Sequence, residues 1–451
     1  MTVIKAATAL LPEGWAEDIC ITLGADGTIT SLDPAVPDVT VDILLPAPSN
    51  VHSHAFQRAM AGLTETRGPT GRDSFWTWRQ LMFRFLDRLT PEDVQAIAAQ
   101  VQVEMLEAGY AACGEFHYLH HQPGGVPYDD LSEMSSAICA AASDTGIGLT
   151  LMPVLYQQGG VDGRPLGPGQ IRFGNDKDRF LALREGASRS LSALPGDAVL
   201  GTAPHSLRAV TPEALKALAG ATDGPFHMHL AEQVAEVDEI SEAYGARPVD
   251  WLLDACAPDT RWCLIHCTQM LPHETEGLAR TGAVAGLCPI TESSLGDGIF
   301  DGVRWLEAGG ALAVGSDSNI RIALSEELRQ LEYSQRLRDK GRAVLAAPGG
   351  STGRRLYEAA AMGGAQAVGR KAGKIAPGYL ADLVALDGSA ADLIGRRGDA
   401  LLDTWIFARD DRLVRNVWAA GRHMVQGGVH VARDRVLAGY RACMTRLAEA
   451  I

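Results

Sequence analysis

The segment SNVHSHAFQRA, residues 49–59, places His52 and His54 two positions apart, directly after an apolar run. If that run is a β-strand, side chains at i and i+2 point to the same face, so the two imidazoles converge. A chance pair, or a hydrogen-bonded pair at a strand end, explains this stretch equally well. The chemical alternative is a metal site, because neutral imidazole is a common ligand of divalent transition metals.

Three later apolar runs end in residues of similar chemistry. GPFHMHLAE contains His229 and Glu232, RWCLIHCT contains His266, and ALAVGSDSN contains Asp317. A single buried histidine more often has a structural role, but several titratable side chains at the ends of different strands are costly as core filling. Three histidines and one aspartate offer the nitrogen and oxygen ligands of a divalent metal such as Zn²⁺. The sequence therefore predicts a metal site.

These side chains can meet only if their strands end at one face of the fold. Eight apolar runs alternate with segments of helical periodicity, and eight is the number of parallel βα units that closes a TIM-type barrel. Their nearly continuous hydrophobicity is typical of strands buried on both faces. The runs are residues 41–54, 112–119, 147–156, 198–206, 224–232, 261–268, 283–291 and 311–319. We predict an α/β fold, a (β/α)8 barrel with its site at the C-terminal strand ends.

The two ends of the chain have a different pattern. Short strands with Gly and Pro turns occur in residues 1–46, where ICITLGADGTITSLD has a hairpin signal, and again in residues 373–430. We predict that these two segments form one composite β-sandwich domain, that residues 47–372 form the barrel, and that residues 431–451 form a C-terminal amphipathic helix. Within the barrel, Thr90 and Thr211 each precede Pro and Glu, which predicts a helix start at both places.

Composition limits the class of protein. The 451 residues are 46% hydrophobic and 21% charged with a net charge of −15, which argues against nucleic acid or an anionic membrane as the main partner. An anionic small substrate remains compatible, because a local arginine cluster can outweigh the global charge. The eight cysteines are scattered without a CxxC pair, which favours a reducing compartment. Neither a signal-peptide pattern nor an apolar stretch of membrane-spanning length is present, so we expect a cytoplasmic protein.

The complete set of motifs resembles the amidohydrolase superfamily. That superfamily has His-x-His after the first strand, His-x-x-Glu after the fifth, His after the sixth and Asp after the eighth. The composite β domain and GKIAPGYLADLVALD resemble its deaminase branch. Within that branch, SNVHSHAFQRAMAGLTE, TAPHSLRAV, HMHLAEQ and GSDSN are similar to enzymes that hydrolyse N-formimino-L-glutamate to N-formyl-L-glutamate and ammonia in histidine degradation. The likeness covers essentially the whole chain.

The resemblance implies one divalent metal ion, Zn²⁺ in the first place with Fe²⁺ as the alternative. Its implied ligands are His52, His54, His229 and Asp317. Binuclear relatives bridge two metals with a carboxylated lysine after the fourth strand, and AVLGTAPHSLRAV has no lysine there. Lys177 lies in a polar segment and Lys216 within a helical segment, so a single metal is predicted. His227 shares the strand of His229 but is outside the motif and is taken as a neighbour.

The same residues allow hydrolytic deamination. In the implied mechanism, Asp317 accepts a proton from a metal-activated water, which attacks the C=N carbon, while His266 orients the nucleophile or stabilises developing charge. Glu232 then protonates the leaving nitrogen. The alternative for Glu232, a solvated glutamate at a helix start, is opposed by its spacing from His229.

Substrate recognition is predicted from the two carboxylates of formiminoglutamate, which arginine binds in a bidentate manner. The resemblance favours Gln57, Arg79, Tyr118, His205 and Arg208 as substrate-binding residues, with Arg79 in a long loop where a lid could form. Arg58 and Arg321 are expected to face solvent or to form structural ion pairs. A homodimer is expected from the resemblance alone.

Other functions use much of the same machinery. A purine, pyrimidine or pterin deaminase would need a stacking surface and amide donors, whereas this sequence offers arginines. A hydrolase of amide bonds or halogenated triazines is a second alternative within the superfamily. A catalytically inactive, metal-stabilised scaffold is a third, and the presence of both Glu232 and His266 beside a complete ligand set argues against it.

Overall fold

The computed structural model describes residues 1–65 and 75–449, apart from the side chains of residues 75–77. Four strands come first along the chain: β1 (Thr2–Leu11), β2 (Gly14–Leu23), β3 (Ile29–Ser31) and β4 (Val39–Pro46). Nine strands follow in the middle of the chain: β5 (Ser49–Ser53), β6 (Ala112–His117), β7 (Gly148–Leu155), β8 (Val199–Leu200), β9 (Ala203–Pro204), β10 (Phe226–Leu230), β11 (Trp262–His266), β12 (Val284–Leu287) and β13 (Ala311–Val314). The last four are β14 (Leu383–Leu386), β15 (Val414–Ala419), β16 (Arg422–Gln426) and β17 (Val429–His430).

Helices separate most of the middle strands and follow the last strand. They are α1 (Phe75–Leu86), α2 (Pro91–Glu107), α3 (Glu133–Thr145), α4 (Lys177–Leu191), α5 (Pro212–Ala221), α6 (Val234–Tyr244), α7 (Pro248–Cys256), α8 (Pro272–Ala279), α9 (Pro289–Leu295), α10 (Gly302–Glu307), α11 (Leu324–Asp339), α12 (Thr352–Ala367), α13 (Asp399–Ala408) and α14 (Arg433–Ala448). Short 3₁₀ segments occupy Ala55–Met60, Pro123–Gly125, Ile171–Phe173, Ala391–Leu393 and Asp411–Leu413.

The middle strands form a ring of parallel strands. Two parallel groups run β5-β6-β7-β8, with β9 also beside β7, and β10-β11-β12-β13. A parallel bridge between Thr202 and Phe226 joins the groups on one side, and a bridge between Ser53 and Asp317 joins them on the other. The predicted (β/α)8 barrel is therefore confirmed. Its closure between β13 and β5 brings the first and last barrel strands side by side.

Strands from both ends of the chain form one sheet of eight, in the order β17-β16-β15-β14-β4-β1-β2-β3. A hairpin joins β1 to β2, whereas β4 pairs in parallel with β1 and antiparallel with β14. The pairing of β4 with β14 is where the N-terminal and C-terminal segments meet. One buried cluster of apolar side chains, including Ile4, Leu44 and Trp418, packs within this sheet.

Two of the predicted strand runs were wrong in detail. Residues 41–54 contain two strands that belong to different sheets, β4 ending at Pro46 and β5 beginning at Ser49. Pro46 and Pro48 have no backbone N–H to continue a ladder, so the chain changes sheet at this point. The fourth run is split into β8 and β9 around Gly201. A Cβ atom at Gly201 would lie 2.7 Å from Met152 Cγ, so the close approach of the neighbouring strand requires glycine there.

The predicted helix starts are confirmed. Thr90 and Asp93 form a reciprocal capping box at the start of α2, and the Thr211 hydroxyl accepts from Ala214 N at the start of α5. The C-terminal helix α14 packs against α2, where Asp93 pairs with Arg446.

A buried set of charges joins the terminal sheet to the barrel. Arg370, which follows α12, is buried and donates both to the Asp382 carboxylate beside β14 and to Asp197 before β8. Arg422 of β16 pairs with the other oxygen of Asp197 at 2.7 Å. All eight cysteines are free thiols. Among the helices of residues 1–65 and 75–449, none combines the length and hydrophobicity needed to cross a bilayer.

Candidate active site

Four side chains converge at the C-terminal end of the barrel. His52 comes from β5, His54 directly follows that strand, His229 comes from β10, and Asp317 follows β13. His52 Nε2 lies 3.1 Å from the Nε2 atoms of both His54 and His229, and Asp317 Oδ1 lies 3.2 Å from His54 Nε2. All four residues are buried, and their ligand atoms lie within 4.8 Å of one another.

The hydrogen bonds of these imidazoles show that a cation fits between them. His54 Nδ1 is 3.0 Å from the carbonyl oxygen of Phe116, and His229 Nδ1 is 3.1 Å from that of His205. A carbonyl oxygen only accepts, so both Nδ1 atoms carry the proton and both Nε2 atoms present lone pairs to His52. Burial and the neighbouring imidazoles also hold the pKa of His52 well below its ordinary value. Lone pairs that face one another in this way suit a metal ion whose ligands are anchored by carbonyl groups.

Backbone hydrogen bonds between β5 and the segment after β13 place Asp317 beside the His52–His54 pair. His54 N donates to Asp317 O and Asp317 N donates to His52 O, both at 2.9 Å. Asp317 has a φ of +45°, a left-handed conformation that costs energy for a residue with a Cβ. The strand closure therefore maintains a strained backbone at the carboxylate.

A buried polar network reinforces this junction. Asn50 Nδ2 donates to Ser316 Oγ at 2.7 Å, and Ser316 Oγ donates to Asn319 Oδ1 at 2.6 Å. Asn319 Nδ2 completes the link by donating to Ser53 Oγ at 3.1 Å. Because each of these residues neighbours a histidine or aspartate of the cluster, the network orients those side chains.

Glu232, His266 and Asp317 form a second group beside the four. His266 Nε2 is 3.8 Å from both Glu232 Oε1 and Asp317 Oδ2. His266 Nδ1 is 3.3 Å from Glu292 Oε1, and the same oxygen accepts from Cys288 N at 2.8 Å. A carboxylate at Nδ1 turns Nε2 towards the cavity, so Glu292 fixes the orientation of the ring.

The environment of Glu232 favours its protonated form. Burial raises the pKa of Glu232, and the charges of Glu236 and Asp317 act in the same direction against the opposing effect of His266. Glu236 Oε2 also accepts from Glu232 N at 2.9 Å. A raised pKa favours the protonated form of the carboxyl group that a general acid needs.

The five residues predicted to bind substrate line one cavity together with His54, His229, Glu232, His266 and Asp317. Gln57 Nε2 donates to Tyr118 OH at 2.8 Å. Arg79 donates to Tyr156 OH, also at 2.8 Å. These contacts place two amphipathic phenol rings and an arginine around the cavity.

His205 and Arg208 follow β9 and line the same cavity. The carbonyl oxygen of His205 faces His229 Nδ1, so His205 contacts the four-residue cluster as well as forming part of the cavity wall. Burial opposes the charge of Arg208, but the carboxylates of Glu236 and Glu232 and the Tyr156 side chain raise its pKa overall. Arg208 is thus a buried and permanently charged group, suited to bind an anion.

Several residues of the site were missed by sequence reasoning. The cavity also contains Trp78, Met82, Tyr156, Phe173 and Leu295. Tyr156 ends the third predicted strand, so applying the strand-end rule to that run would have found it. Glu236 and Glu292 lie within helices, where the sequence offers no signal that they face the site.

Other residues that the sequence singled out lie elsewhere. His227 Nε2 is 2.7 Å from Ala367 O in the barrel core. Arg58 pairs with Glu104 and Arg321 with Glu326, as expected of structural ion pairs. Lys177 pairs weakly with a surface aspartate and Lys216 lies over the Trp251 ring. Among the described residues, no lysine lines the cavity.

Comparison with known families agrees with this geometry. Residues 43–424 match the amidohydrolase family, and residues 1–39 match the N-terminal domain of formimidoylglutamate deiminase HutF. A formimidoylglutamate deiminase from Pseudomonas aeruginosa is 48% identical over 445 residues, which cover 96% of this chain and 97% of that protein. An 8-oxoguanine deaminase from the same organism is 28% identical and covers 79% of each chain.

Solved structures give the same result for the fold. An amidohydrolase from Brucella melitensis superposes with a TM-score of 0.94 at 46% identity, covering 99% of this chain and all of the other. An adenosine deaminase from Xanthomonas campestris with bound zinc superposes with a TM-score of 0.82 at 21% identity, covering 99% and 98%. At that lower identity the likeness concerns the fold alone.

Proposed function

Because this chain belongs to the amidohydrolase family, with residues of that family's metal-site type at its barrel strand ends, we propose that it hydrolyses N-formimino-L-glutamate to N-formyl-L-glutamate and ammonia in histidine degradation. It is a deiminase, a hydrolase that acts on the C–N bond of a linear amidine. The observation that carries the substrate assignment is the 48% identity to a formimidoylglutamate deiminase over nearly the whole of both chains. The cavity supports it, since arginines and a general acid line the same space.

The residues that would hold a divalent metal ion are His52, His54, His229 and Asp317. When bound there, such an ion would supply Lewis-acid chemistry that makes water nucleophilic near neutral pH. The chain itself contributes the orientation of the ligands through carbonyl groups and the strand network described above. We propose Zn²⁺ as the ion, since three imidazoles and one carboxylate suit it and leave a position for water.

Each proton transfer is assigned to an atom of the chain. Asp317 accepts the proton that water loses as its oxygen bonds to the formimino carbon. His266, whose Nε2 faces both carboxylates at 3.8 Å, donates a hydrogen bond that orients the reacting groups. Glu232 gives its proton to the formimino nitrogen of the tetrahedral intermediate. The proton held by Asp317 then passes to the same nitrogen, and the C–N bond breaks with its electron pair leaving on ammonia. The hydroxyl proton of the intermediate passes to Glu232 as the carbon becomes the formyl carbonyl.

Arginine side chains would bind the two carboxylates of the substrate. Arg208 is buried in the cavity with a raised pKa, and Arg79 reaches the cavity beside Tyr156. Gln57, Tyr118 and His205 line the same space and can supply further hydrogen bonds to the substrate. Binding of a dianionic tail holds the formimino carbon near Glu232, which raises the effective concentration of the reacting groups.

Three further proposals concern the location, the assembly and the domain division of the protein. The free thiols favour a reducing compartment, so we place the protein in the cytoplasm. A homodimer is proposed from the family resemblance. We also retain the division into a composite β domain (1–46 and 373–430), a barrel (47–372) and a C-terminal helix (431–451).

The test is ammonia release by purified, zinc-loaded protein given N-formimino-L-glutamate, with guanine, adenosine and cytosine in parallel. We expect turnover of formiminoglutamate alone, reduced about 10²- to 10⁴-fold in Glu232→Gln, since that is the usual contribution of a general acid. Glu242→Gln, on the exposed face of α6, is the matched control and should retain activity. Activity on a nucleobase alone would contradict the proposed substrate but would remain compatible with hydrolytic deamination. Inactivity on all four would favour an amide hydrolase or a scaffold.

A further inference from the structure

A second cluster of possible ligands lies against the first. His266, Cys288 and Asp317 each offer one ligand atom, all within 4.8 Å of one another, and all three residues are buried. We propose that these three side chains form a second, inhibitory site for a thiophilic divalent ion, such as Zn²⁺ in excess or Cd²⁺. This site is separate from the four-ligand cluster, with which it shares only Asp317.

The two oxygens of Asp317 face different groups. Oδ1 lies 3.2 Å from His54 Nε2 and 3.5 Å from His52 Nε2, in the four-ligand cluster. Oδ2 lies 3.8 Å from His266 Nε2. One carboxylate can therefore serve two ions at once, one through each oxygen.

The spacing is close to what a bound ion needs. Three atoms that are no more than 4.8 Å apart lie within about 2.8 Å of a common centre. Zinc binds nitrogen at about 2.0–2.1 Å and sulfur at about 2.3 Å. Movements of up to about 0.5–0.8 Å in each side chain would complete the coordination.

His266 is oriented as a metal-bound histidine usually is. Its Nδ1 faces the Glu292 carboxylate at 3.3 Å, which leaves Nε2 for a second interaction. Metal-ligating histidines commonly donate their other ring N–H to a carboxylate in this way. Glu292 Oε1 also accepts a hydrogen bond from Cys288 N, so the same buried carboxylate contacts both His266 and Cys288.

The thiol determines which ions this site prefers. Cys288 is fully buried, and a sulfur ligand selects Zn²⁺ or Cd²⁺ over Mg²⁺ and Ca²⁺. The surroundings favour a cation, because Glu232, Glu292 and Asp297 are buried nearby. Burial and the charge of Glu232 raise the pKa of Asp297 to about 9, although His266 opposes this, which is consistent with an excess of negative charge in this part of the site.

An ion at this site would occupy groups that the reaction uses. It would engage His266 Nε2 and Asp317 Oδ2, which the proposed function assigns to orientation and proton transfer. The inhibition therefore rests on the proposed function, whereas binding of the ion does not. Cys288 has no part in the proposed reaction, so its replacement should leave activity at one equivalent of metal unchanged.

The experiment uses full-length protein loaded with one equivalent of Zn²⁺. Cd²⁺ is titrated while the ultraviolet absorption of a thiolate–cadmium bond is recorded, and Zn²⁺ is titrated separately while ammonia release is measured. We expect a cadmium–thiolate band and at least 10-fold inhibition in the parent protein. In Cys288→Ala the band should be absent and the inhibition by excess Zn²⁺ should be lost.

Two further variants test whether the band and the inhibition depend on Cys288. Cys256→Ala removes a half-buried thiol of α7, and it should retain both the band and the inhibition. Cys288→Ser supplies a second variant of similar size in case the alanine variant does not fold. A band that persists in both Cys288 variants, or parent protein with neither band nor inhibition, would overturn the proposal. Absence of all turnover with a normal band would instead contradict the proposed function while supporting the site.

Discussion

Glu236 Oε2 accepts a hydrogen bond from the backbone N–H of Glu232 at 2.9 Å. The same carboxylate raises the pKa of Arg208, which lines the cavity. One buried side chain on α6 thus supports both the proposed general acid and an arginine of the proposed substrate site. Because Glu236 acts on Glu232 through its backbone N–H and on Arg208 through its charge, we infer that its role is one of positioning.

Replacement of Glu236 should reduce catalytic activity, and more so when the hydrogen-bond acceptor is removed than when only the charge is removed. Glu236→Ala leaves the Glu232 N–H without its acceptor, at a cost of about 1–3 kcal/mol for a buried unsatisfied donor. We expect kcat/KM to fall about 10- to 100-fold, and Glu236→Gln, which retains an acceptor oxygen, to fall less. Steady-state kinetics on formiminoglutamate would measure both variants. Equal losses in Ala and Gln would show that charge, and not the hydrogen bond, is the main contribution.

Arg208→Lys should weaken substrate binding more than it slows chemistry. Lysine retains the charge but loses the planar pair of donors that matches a carboxylate. Loss of a charge-assisted hydrogen bond costs about 1.5–3 kcal/mol, so KM should rise about 10- to 100-fold with a smaller change in kcat. Arg321→Lys is the control, because Arg321 pairs with Glu326 at the surface. An unchanged KM in Arg208→Lys would remove Arg208 from the substrate site.

Arg370→Met should destabilise the junction between the barrel and the terminal sheet. The substitution keeps much of the side-chain length but leaves the buried carboxylate of Asp382 without its arginine partner and removes one of the two arginines that pair with Asp197. Removal of one partner from a buried ion pair costs about 3–5 kcal/mol. Urea-induced unfolding would measure the loss, with Arg412→Met as an exposed ion-pair control that should change the unfolding free energy by no more than about 1 kcal/mol. A similar small change in both variants would contradict this prediction.

Asp411 should make stability depend on pH between about 4 and 6. Burial raises the pKa of Asp411 to about 6, and its Oδ1 accepts from Ser325 N and Trp405 Nε1. The folded state binds the proton more tightly than the unfolded state. The carboxyl group therefore destabilises the folded protein increasingly as pH rises from about 4 to about 6, and this cost is constant above that range.

Asp411→Asn removes this titration while keeping an acceptor oxygen. The unfolding free energy of the variant, relative to the parent protein, should increase from pH 4 to pH 7 by up to about 3 kcal/mol, the limit set by a shift of about two pKa units. Urea unfolding of both proteins at the two pH values measures the difference. Asp410→Asn at the exposed ion pair with Arg412 is the control. A difference that does not change with pH would show that Asp411 has an ordinary pKa in the folded state.

Much of the site could be predicted because parallel strands all end at the same face of a barrel. A polar residue at the end of an apolar run therefore has a known location even though its partners are far away in sequence. His52 and Asp317 are 265 positions apart, yet their backbones hydrogen bond across the barrel closure. Local start signals were equally informative for α2 and α5, because a capping threonine acts within its own turn.

The sequence by itself determined the order of strands and helices, the residue types at the strand ends, and the family. Only the tertiary structure decided which sheet each half of residues 41–54 joins, and that Glu236 and Glu292 face the site. The physical reason is the distance along the chain over which each signal acts. Periodicity and caps act over a few residues, whereas the direction in which a helical side chain points depends on how the whole helix docks against the barrel.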